Sequence, residues 1–357
     1  MIYLDNASTS DSCWFLNGKI ANPNSPHVLG NRASEFLEGA RNRVKKVLGV
    51  SSGEVIFGGT ASMLIEGLKH RLCEKIESRI AIDFCSKYEH DCIADNSFEI
   101  IDFNNDFQIY FQLYNEQCAT YAHIHTNNIT GRVYDIDCYG RKIRENGDFF
   151  VVDTTATWGH TFVPEHLEEW CDCVVGSAHK FYGPEGTGFM WLSDRFLEYL
   201  LPCTVTKKNE YGFWHGTPAV TNIRAMVNCL EFFNDEVAEK QKVWEKLTNI
   251  LLEELTAKNI ECSIVDYNKP KTWAINALTL PGFDGDALVQ YLSGKGIYIS
   301  AGHSACASEG DYRVLKACGL SEKEAKSTVR ISFGYETTEG QVKELAKEIV
   351  NFKNKFM

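Results

Sequence analysis

Apolar and polar positions along the chain repeat at two spacings, and stretches of each kind alternate. Phe36, Leu37, Ala40, Val44, Val47 and Leu48 recur at helical spacing and predict a helix over 33–48 with one buried stripe. Glu54-Val55-Ile56-Phe57 then reads as a short strand, Gly58-Gly59 breaks it, and Thr60 or Ser62 opens the next helix. Phe149-Phe150-Val151-Val152 predicts a buried strand ending at Asp153, and Cys173-Val174-Val175-Gly176 predicts another ending before Ser177-Ala178-His179-Lys180. Ile297-Tyr298-Ile299 is a further strand candidate. Residues 236–257 predict a long amphipathic helix joining a main domain to a C-terminal one. From Thr338, with Gln341 at the capping-box position, Val342, Leu345, Ala346, Ile349 and Val350 mark a last surface helix. Helices alternating with strands argue for an α/β fold with a largely parallel sheet.

At 357 residues the chain can bury a large core in more than one domain. No run approaches the roughly 18 consecutive apolar residues of a membrane helix. The opening Met1-Ile2-Tyr3-Leu4-Asp5-Asn6 does not read as a secretory signal. A net charge of −12 gives no electrostatic footprint for a nucleic acid. The 13 cysteines are odd in number and form no disulfide-like framework, so a reducing, cytoplasmic setting is expected. Cys171 and Cys173 lack the second ligand pair of a zinc site, and no metal is expected. They read instead as two buried positions on one face of a strand.

Four segments carry candidate chemistry. In Ser177-Ala178-His179-Lys180-Phe181-Tyr182-Gly183-Pro184-Glu185-Gly186-Thr187-Gly188 a lysine stands between an apolar strand and a glycine-rich loop. A partly buried lysine is a usable amine nucleophile, though a surface loop with one lysine reads the same way. Asp153 ends a buried strand, where ligands of open α/β sheets sit, and a carboxylate there could pair with a protonated pyridine nitrogen or simply cap a turn. Thr60-Ala61-Ser62 at a helix start suits a phosphate, or serves only as a cap. Cys306, in Ser300-Ala301-Gly302-His303-Ser304-Ala305-Cys306-Ala307-Ser308, is either an exposed reactive thiol or a buried inert one.

Taken in order, these segments resemble the cysteine desulfurases, in the class V aminotransferase group of fold-type I pyridoxal-phosphate enzymes. Ile2 to Thr9 looks like the family's opening, and Asn22-Pro23-Asn24-Ser25-Pro26-His27 followed by Gly30 like its next segment. Ile56 to Ser62 resembles the phosphate-binding turn, Glu89-His90 the histidine that stacks on the cofactor ring, and Asn127-Asn128-Ile129-Thr130-Gly131 the Asn-Asn-Glu-Thr-Gly segment. Asp153 matches the pyridinium partner, Ser177 to Lys180 the Schiff-base lysine turn, and Gly216-Thr217 the segment that reaches a phosphate in the partner subunit. Cys306 matches the persulfide-forming cysteine, and Val329-Arg330-Ile331-Ser332-Phe333-Gly334 the arginine that holds the substrate carboxylate.

The resemblance implies a large domain (15–235) with a mostly parallel seven-stranded sheet, and a small α/β domain (1–14 and 236–357) carrying the cysteine loop. It implies pyridoxal 5′-phosphate bound by Lys180, Asp153, His90, Ala61, Ser62, Asn128, Ser177, His179 and Thr217. Lys180, Cys306 and His90 would be catalytic, with Arg330 and Asn128 on the substrate. The activity implied is removal of sulfur from L-cysteine, giving L-alanine and an enzyme persulfide for a sulfur-acceptor protein, as in iron-sulfur cluster biogenesis, by a homodimer. Selenocysteine lyase, another reaction on the same cofactor, or a non-catalytic paralogue are the alternative readings. The pattern departs from the family at four places. Ala156 stands where a glutamine usually bonds the cofactor's phenolic oxygen, leaving Thr155, Thr157, His179 or a water to substitute. Trp214-His215 replaces Arg-Ser, Thr60-Ala61-Ser62-Met63 replaces Gly-Ala-Thr-Glu, and Gly302 lies four residues before Cys306 where one branch has three.

Overall fold

The computed structural model describes residues 2–4, 22–76, 82–95, 97–103, 118–201, 210–213, 216–303 and 312–357. They fall into two compact units: a larger one of 11–125 and 135–235, and a smaller one of 1–10, 126–134 and 236–357.

The larger unit holds the seven-stranded sheet expected from the sequence. Its order is Glu54–Gly58, Gly188–Leu192, Cys173–Ser177, Phe149–Asp153, Thr120–Ile124, Ile82–Ser86 and Ser97–Ile101. Gly188–Leu192 runs antiparallel to both of its neighbours, and the other pairings are parallel. Every residue of Thr120–Ile124, Phe149–Asp153, Cys173–Ser177 and Gly188–Leu192 is buried. That is why Phe149–Asp153 and Cys173–Ser177 read as nearly continuous apolar runs: a sheet covered on both faces has no polar side to alternate with. Leu64, Ile65, Leu68 and Leu72, at helical spacing on Ala61–Ile76, share a core cluster with Ile56, Val151, Val175 and Met190. Each such side chain contributes about 1.5–3 kcal/mol when fully buried.

Glu54–Gly58 forms one margin of the sheet, and its outer edge is closed by charge. Registered on Trp191 and Phe189, Val55 and Phe57 turn a carbonyl and an N–H away from the sheet. Arg41 Nη1 donates to the Val55 carbonyl, and Phe57 N donates to Glu210 Oε2 at 2.9 Å. The two side chains pair with each other, Nη1 to Oε2 at 2.8 Å and Nη2 to Oε1 at 2.6 Å, and both residues are 4% exposed. This ion pair stands where an eighth strand would, so the edge offers no template for pairing. Its buried charges are tolerated because each is hydrogen-bonded as well as paired. Glu210 and its neighbour Tyr211 both take left-handed φ, 52° and 56°. Each costs an L-residue about 1–2 kcal/mol.

In the smaller unit Ser300–Ala301, Thr328–Ser332, Ile275–Thr279 and Ser263–Ile264 form an antiparallel sheet in that order. Ile2–Tyr3 pairs in parallel with Ile297–Tyr298. The sequence boundaries leave 126–134 in the large domain, but these residues belong to the smaller unit. Thr272 N donates to the Gly131 carbonyl and Val133 N to the Pro270 carbonyl, both at 2.8 Å. Gly131 has φ 75°, and a Cβ there would lie 2.2 Å from the Ile275 carbonyl oxygen, so only glycine fits the crossing.

The long helix expected over 236–257 spans Val220–Thr256, beginning 16 residues earlier, just after Pro218. The helix predicted from residue 33 begins at Val28, because the His27 side chain accepts the Gly30 N–H as its cap. The C-terminal helix Glu339–Phe356 starts at Thr338 with the predicted capping box to Gln341. Among the described residues no helix is long and apolar enough to cross a membrane.

Candidate functional site

The parallel strands Phe149–Asp153 and Cys173–Ser177 are registered with Asp153 opposite Val175, so Asp153 and the turn that follows Ser177 emerge at the same sheet edge. That edge, beyond the carboxyl ends of parallel strands, is where open α/β sheets bind ligands. Asp153 is 3% exposed, and its Oδ1 accepts the Thr155 N–H at 2.8 Å. Ala178–Lys180 form a single 3-10 turn, tied by Ala178 N to the Thr187 carbonyl and by Phe181 N and Gly183 N to the Ala178 carbonyl. Lys180 and His179 are half-buried, and Ser177 Oγ pairs with His179 Nδ1 at 2.9 Å. Burial first, and then the Lys180 ammonium, push the His179 imidazole down to about 4, so the ring stays neutral beside the lysine.

The helix Ala61–Ile76 starts next to this edge. A Cβ on Gly188 would meet the Gly176 carbonyl oxygen at 2.7 Å and Ala61 N at 3.2 Å, so glycine lets the two chains pass. Thr60 Oγ1 accepts the Met63 N–H at 3.3 Å and acts as a cap, while Ala61 is buried and Ser62 exposed. His90 is fixed at its ring: Nδ1 accepts the Cys92 N–H at 3.2 Å, which puts the neutral ring's proton on Nε2. Glu89, fully buried, accepts Ser86 Oγ at 2.6 Å and the Ile124 N–H, locking the residue before His90 to the sheet. Cys92 lies between the two halves of the site. Its thiol bonds Ser62 and feels Asp153, and burial holds its pKa far above the usual thiol range.

One residue of this edge carries no signal in the sequence. His160 is 1% exposed, and burial, then the Lys180 ammonium, lower it to about 4. A lone histidine seven residues beyond Asp153 gives no hint that it reaches the lysine. Thr155 Oγ1 is buried and has no hydrogen-bond partner among the described residues, and Thr187 Oγ1 is in the same state. The other groups able to replace the absent glutamine are engaged: Thr157 Oγ1 with His125 Nδ1 at 2.9 Å, and His179 with Ser177.

The remaining candidates stand on other segments. Thr217 is exposed in the larger unit and accepts Asn22 Nδ2 at 3.1 Å. Asn128 and Arg330 meet within the smaller unit. Arg330 is 2% exposed, its Nη1 donates to the Asn128 carbonyl and its Nη2 to Ser300 Oγ, both at 3.1 Å. Asn127 Oδ1 shapes that segment by accepting the Ile129 and Thr130 N–H groups, both at 2.9 Å. Cys306, and the Trp214-His215 departure, lie outside the described residues. Cys171 and Cys173 are both buried, though only Cys173 is on the strand; Cys171 Sγ donates to the Cys173 carbonyl at 3.1 Å.

Comparison with known proteins meets this geometry. The family model described as aminotransferase class-V matches residues 2–345. A protein named cysteine desulfurase IscS from Mannheimia succiniciproducens is 30% identical, over 91% of this chain and 83% of its own. A putative cysteine desulfurase IscS 1 from Bacillus subtilis is 26% identical over 98% of both. Among solved structures, a NifS-like protein superposes with a TM-score of 0.85 at 26% identity, over 99% of each chain. A NifS-like protein from Rickettsia africae, at 22% identity and a TM-score of 0.80, shares the fold. With Asp153 and Lys180 on one sheet edge and the match running through nearly the whole sequence, the chain belongs to the class-V aminotransferase family, among its cysteine desulfurases.

Proposed function

We propose that this chain takes sulfur from L-cysteine, releasing L-alanine and leaving the sulfur on Cys306 as a persulfide for an acceptor protein. The atoms balance: one cysteine and one enzyme thiol give one alanine and one enzyme persulfide. The observation that carries the reading is the convergence of Asp153 with the Ser177–Lys180 turn at the ligand edge of the sheet, in a chain similar to proteins named cysteine desulfurases.

The residues at this edge fit pyridoxal 5′-phosphate. A buried carboxylate suits a protonated ring nitrogen, a half-buried amine suits an aldehyde, and the first turn of Ala61–Ile76 with Ser177 and His179 suits a phosphate. The Thr155 hydroxyl, buried and without a partner among the described residues, suits a polar atom of the ring. Bound there, the cofactor supplies an electron sink that makes the α proton of an amino acid removable. Lys180 holds the cofactor and then moves the α proton. Asp153 keeps the proton on the ring nitrogen. His90, its tautomer fixed by Cys92 N, stacks on the ring. Arg330, with Asn128, takes the substrate carboxylate. Thr217 reaches a partner subunit's phosphate in a homodimer, which light scattering would report as a particle of two chains.

The deciding experiment supplies L-cysteine and a thiol reductant to the purified protein. Alanine and sulfide should appear in equal amounts, and alanine without sulfide, or neither, would sink the reading. L-selenocysteine in the same assay separates a lyase from a desulfurase by its relative kcat/KM.

Asp153 and Thr155 should separate in their effects. A hydrogen bond to a charged group is worth about 1.5–3 kcal/mol, so Asp153→Asn should slow exchange of the substrate α proton roughly 10- to 100-fold while the cofactor stays bound. Thr155→Val should leave that exchange within a fewfold and instead shift the pH at which the bound cofactor's absorbance titrates. Near-normal exchange in Asp153→Asn would remove the aspartate from its role, and an unmoved titration would remove Thr155.

A further inference from the structure

We propose that Glu210, through its ion pair with Arg41, is a positioning residue for phosphate recognition. It rests on the reading above, in which Ala61, Ser62 and Thr217 take cofactor phosphates. The carboxylate touches the route to the phosphate turn. Its Oε2 accepts the N–H of Phe57, the strand residue that leads through Gly58-Gly59 into Thr60-Ala61-Ser62. Glu210 also begins the turn Glu210–Gly212, which precedes Gly216-Thr217 in the sequence.

That turn is held against its own backbone preference. Glu210 and Tyr211 are both left-handed, which L-residues adopt only when the surroundings dictate it. Three elements dictate it here. Arg41, from the helix Val28–Leu48, clamps the Glu210 carboxylate at 2.8 and 2.6 Å. Arg71, from Ala61–Ile76, donates from Nη2 to the Gly212 carbonyl at 3.2 Å and lies over the Phe213 ring. Tyr211 is buried in the core cluster with Ile56 and Leu64. The turn is fastened to the strand and the helix that flank the phosphate turn, so its carboxylate bears on the position of the chain's own phosphate turn. Arg41 Nε also contacts Glu38 Oε1 at 3.3 Å, so the guanidinium keeps one carboxylate when Glu210 is neutralised.

The test compares pyridoxal 5′-phosphate with pyridoxal, which lacks the phosphate, in reconstituting the full-length chain stripped of cofactor. The parent chain should prefer the phosphorylated form; if it does not, the cofactor reading fails before Glu210 is tested. Glu210→Gln should lose affinity for pyridoxal 5′-phosphate by about tenfold or more and hold its affinity for pyridoxal within about twofold. Equal losses for both ligands would make Glu210 merely structural, and no loss for either would make it idle; each overturns the proposal. Arg41→Lys keeps a cation but cannot fork to both carboxylate oxygens, and should lose the phosphorylated ligand selectively as well. If Glu210→Gln does not fold, Glu210→Gln with Tyr211→Gly, which accepts φ 56° without strain, is judged by the same comparison.

Discussion

Lys180→Ala is expected to stop turnover of L-cysteine, a fall of at least about four orders of magnitude, because in the proposed reaction one amine holds the cofactor and moves the proton. The turn that carries it is fixed independently of its side chain. Ala178 N, Phe181 N and Gly183 N all bond main-chain carbonyls, and the preceding strand is buried throughout. Removing a half-buried side chain from such a turn should leave the fold intact, so circular dichroism of the variant should match the parent. The neutral imidazoles of His179 and His160 beside it add no competing charge. Borohydride treatment of the parent followed by peptide mapping should place the reduced cofactor on residue 180. A label on another lysine would relocate the site, and a Lys180→Ala chain that still produces alanine from cysteine at the parent rate would remove Lys180 from the chemistry.

The parts of this site that were legible in the sequence are those that local chemistry dictates. Phe149–Asp153 and Cys173–Ser177 announce themselves as apolar runs because both sheet faces are covered, and the polar residues that end them must face the ligand edge. Thr338 and Gln341 are three residues apart and cap the same helix, so their bond is local too. What stayed hidden depends on contacts across the chain. Arg41 and Glu210 are 169 residues apart, and nothing in either residue's sequence neighbourhood signals an ion pair closing a sheet edge. Left-handed backbone at Glu210-Tyr211 is equally silent, because sequence reading looks for glycine at such positions. The helix start at His27 was missed because histidine is not among the usual capping residues. Residues 126–134 sit mid-chain and read with the larger unit, while the bonds that hold them go to Pro270 and Thr272. The absence of a glutamine at Ala156 was plain in the sequence. Which group is left to replace it required knowing that Thr157 is engaged by His125 and that Thr155 is not engaged.

Cys306→Ser is expected to abolish sulfide release under reducing conditions while binding of L-cysteine to the cofactor, read as a change in absorbance, persists. The reason is chemical. A thiolate takes the substrate's sulfur by forming a sulfur–sulfur bond as the carbon–sulfur bond breaks and its electron pair stays with the substrate carbon, whereas a serine hydroxyl is neither ionised at neutral pH nor able to form a persulfide. The residues on either side of segment 304–311 are set by one carboxylate. Asp286, in the first turn of the helix Gly285–Ser293, lies 3.3 Å from His303 Nε2 through Oδ1, and its Oδ2 accepts Tyr312 OH at 3.5 Å. The His303 and Tyr312 rings meet edge to face at 5.7 Å. The substitution exchanges a single atom, sulfur for oxygen, and should leave these two flanking residues as they are. Loss of sulfide release with intact cysteine binding therefore reads on the thiol itself. Alkylation supplies an independent check: one equivalent of iodoacetamide that stops sulfide release should map to Cys306 despite 12 other cysteines in the chain. A Cys306→Ser chain that releases sulfide at the parent rate would make Cys306 structural and leave the desulfurase reading without its sulfur acceptor.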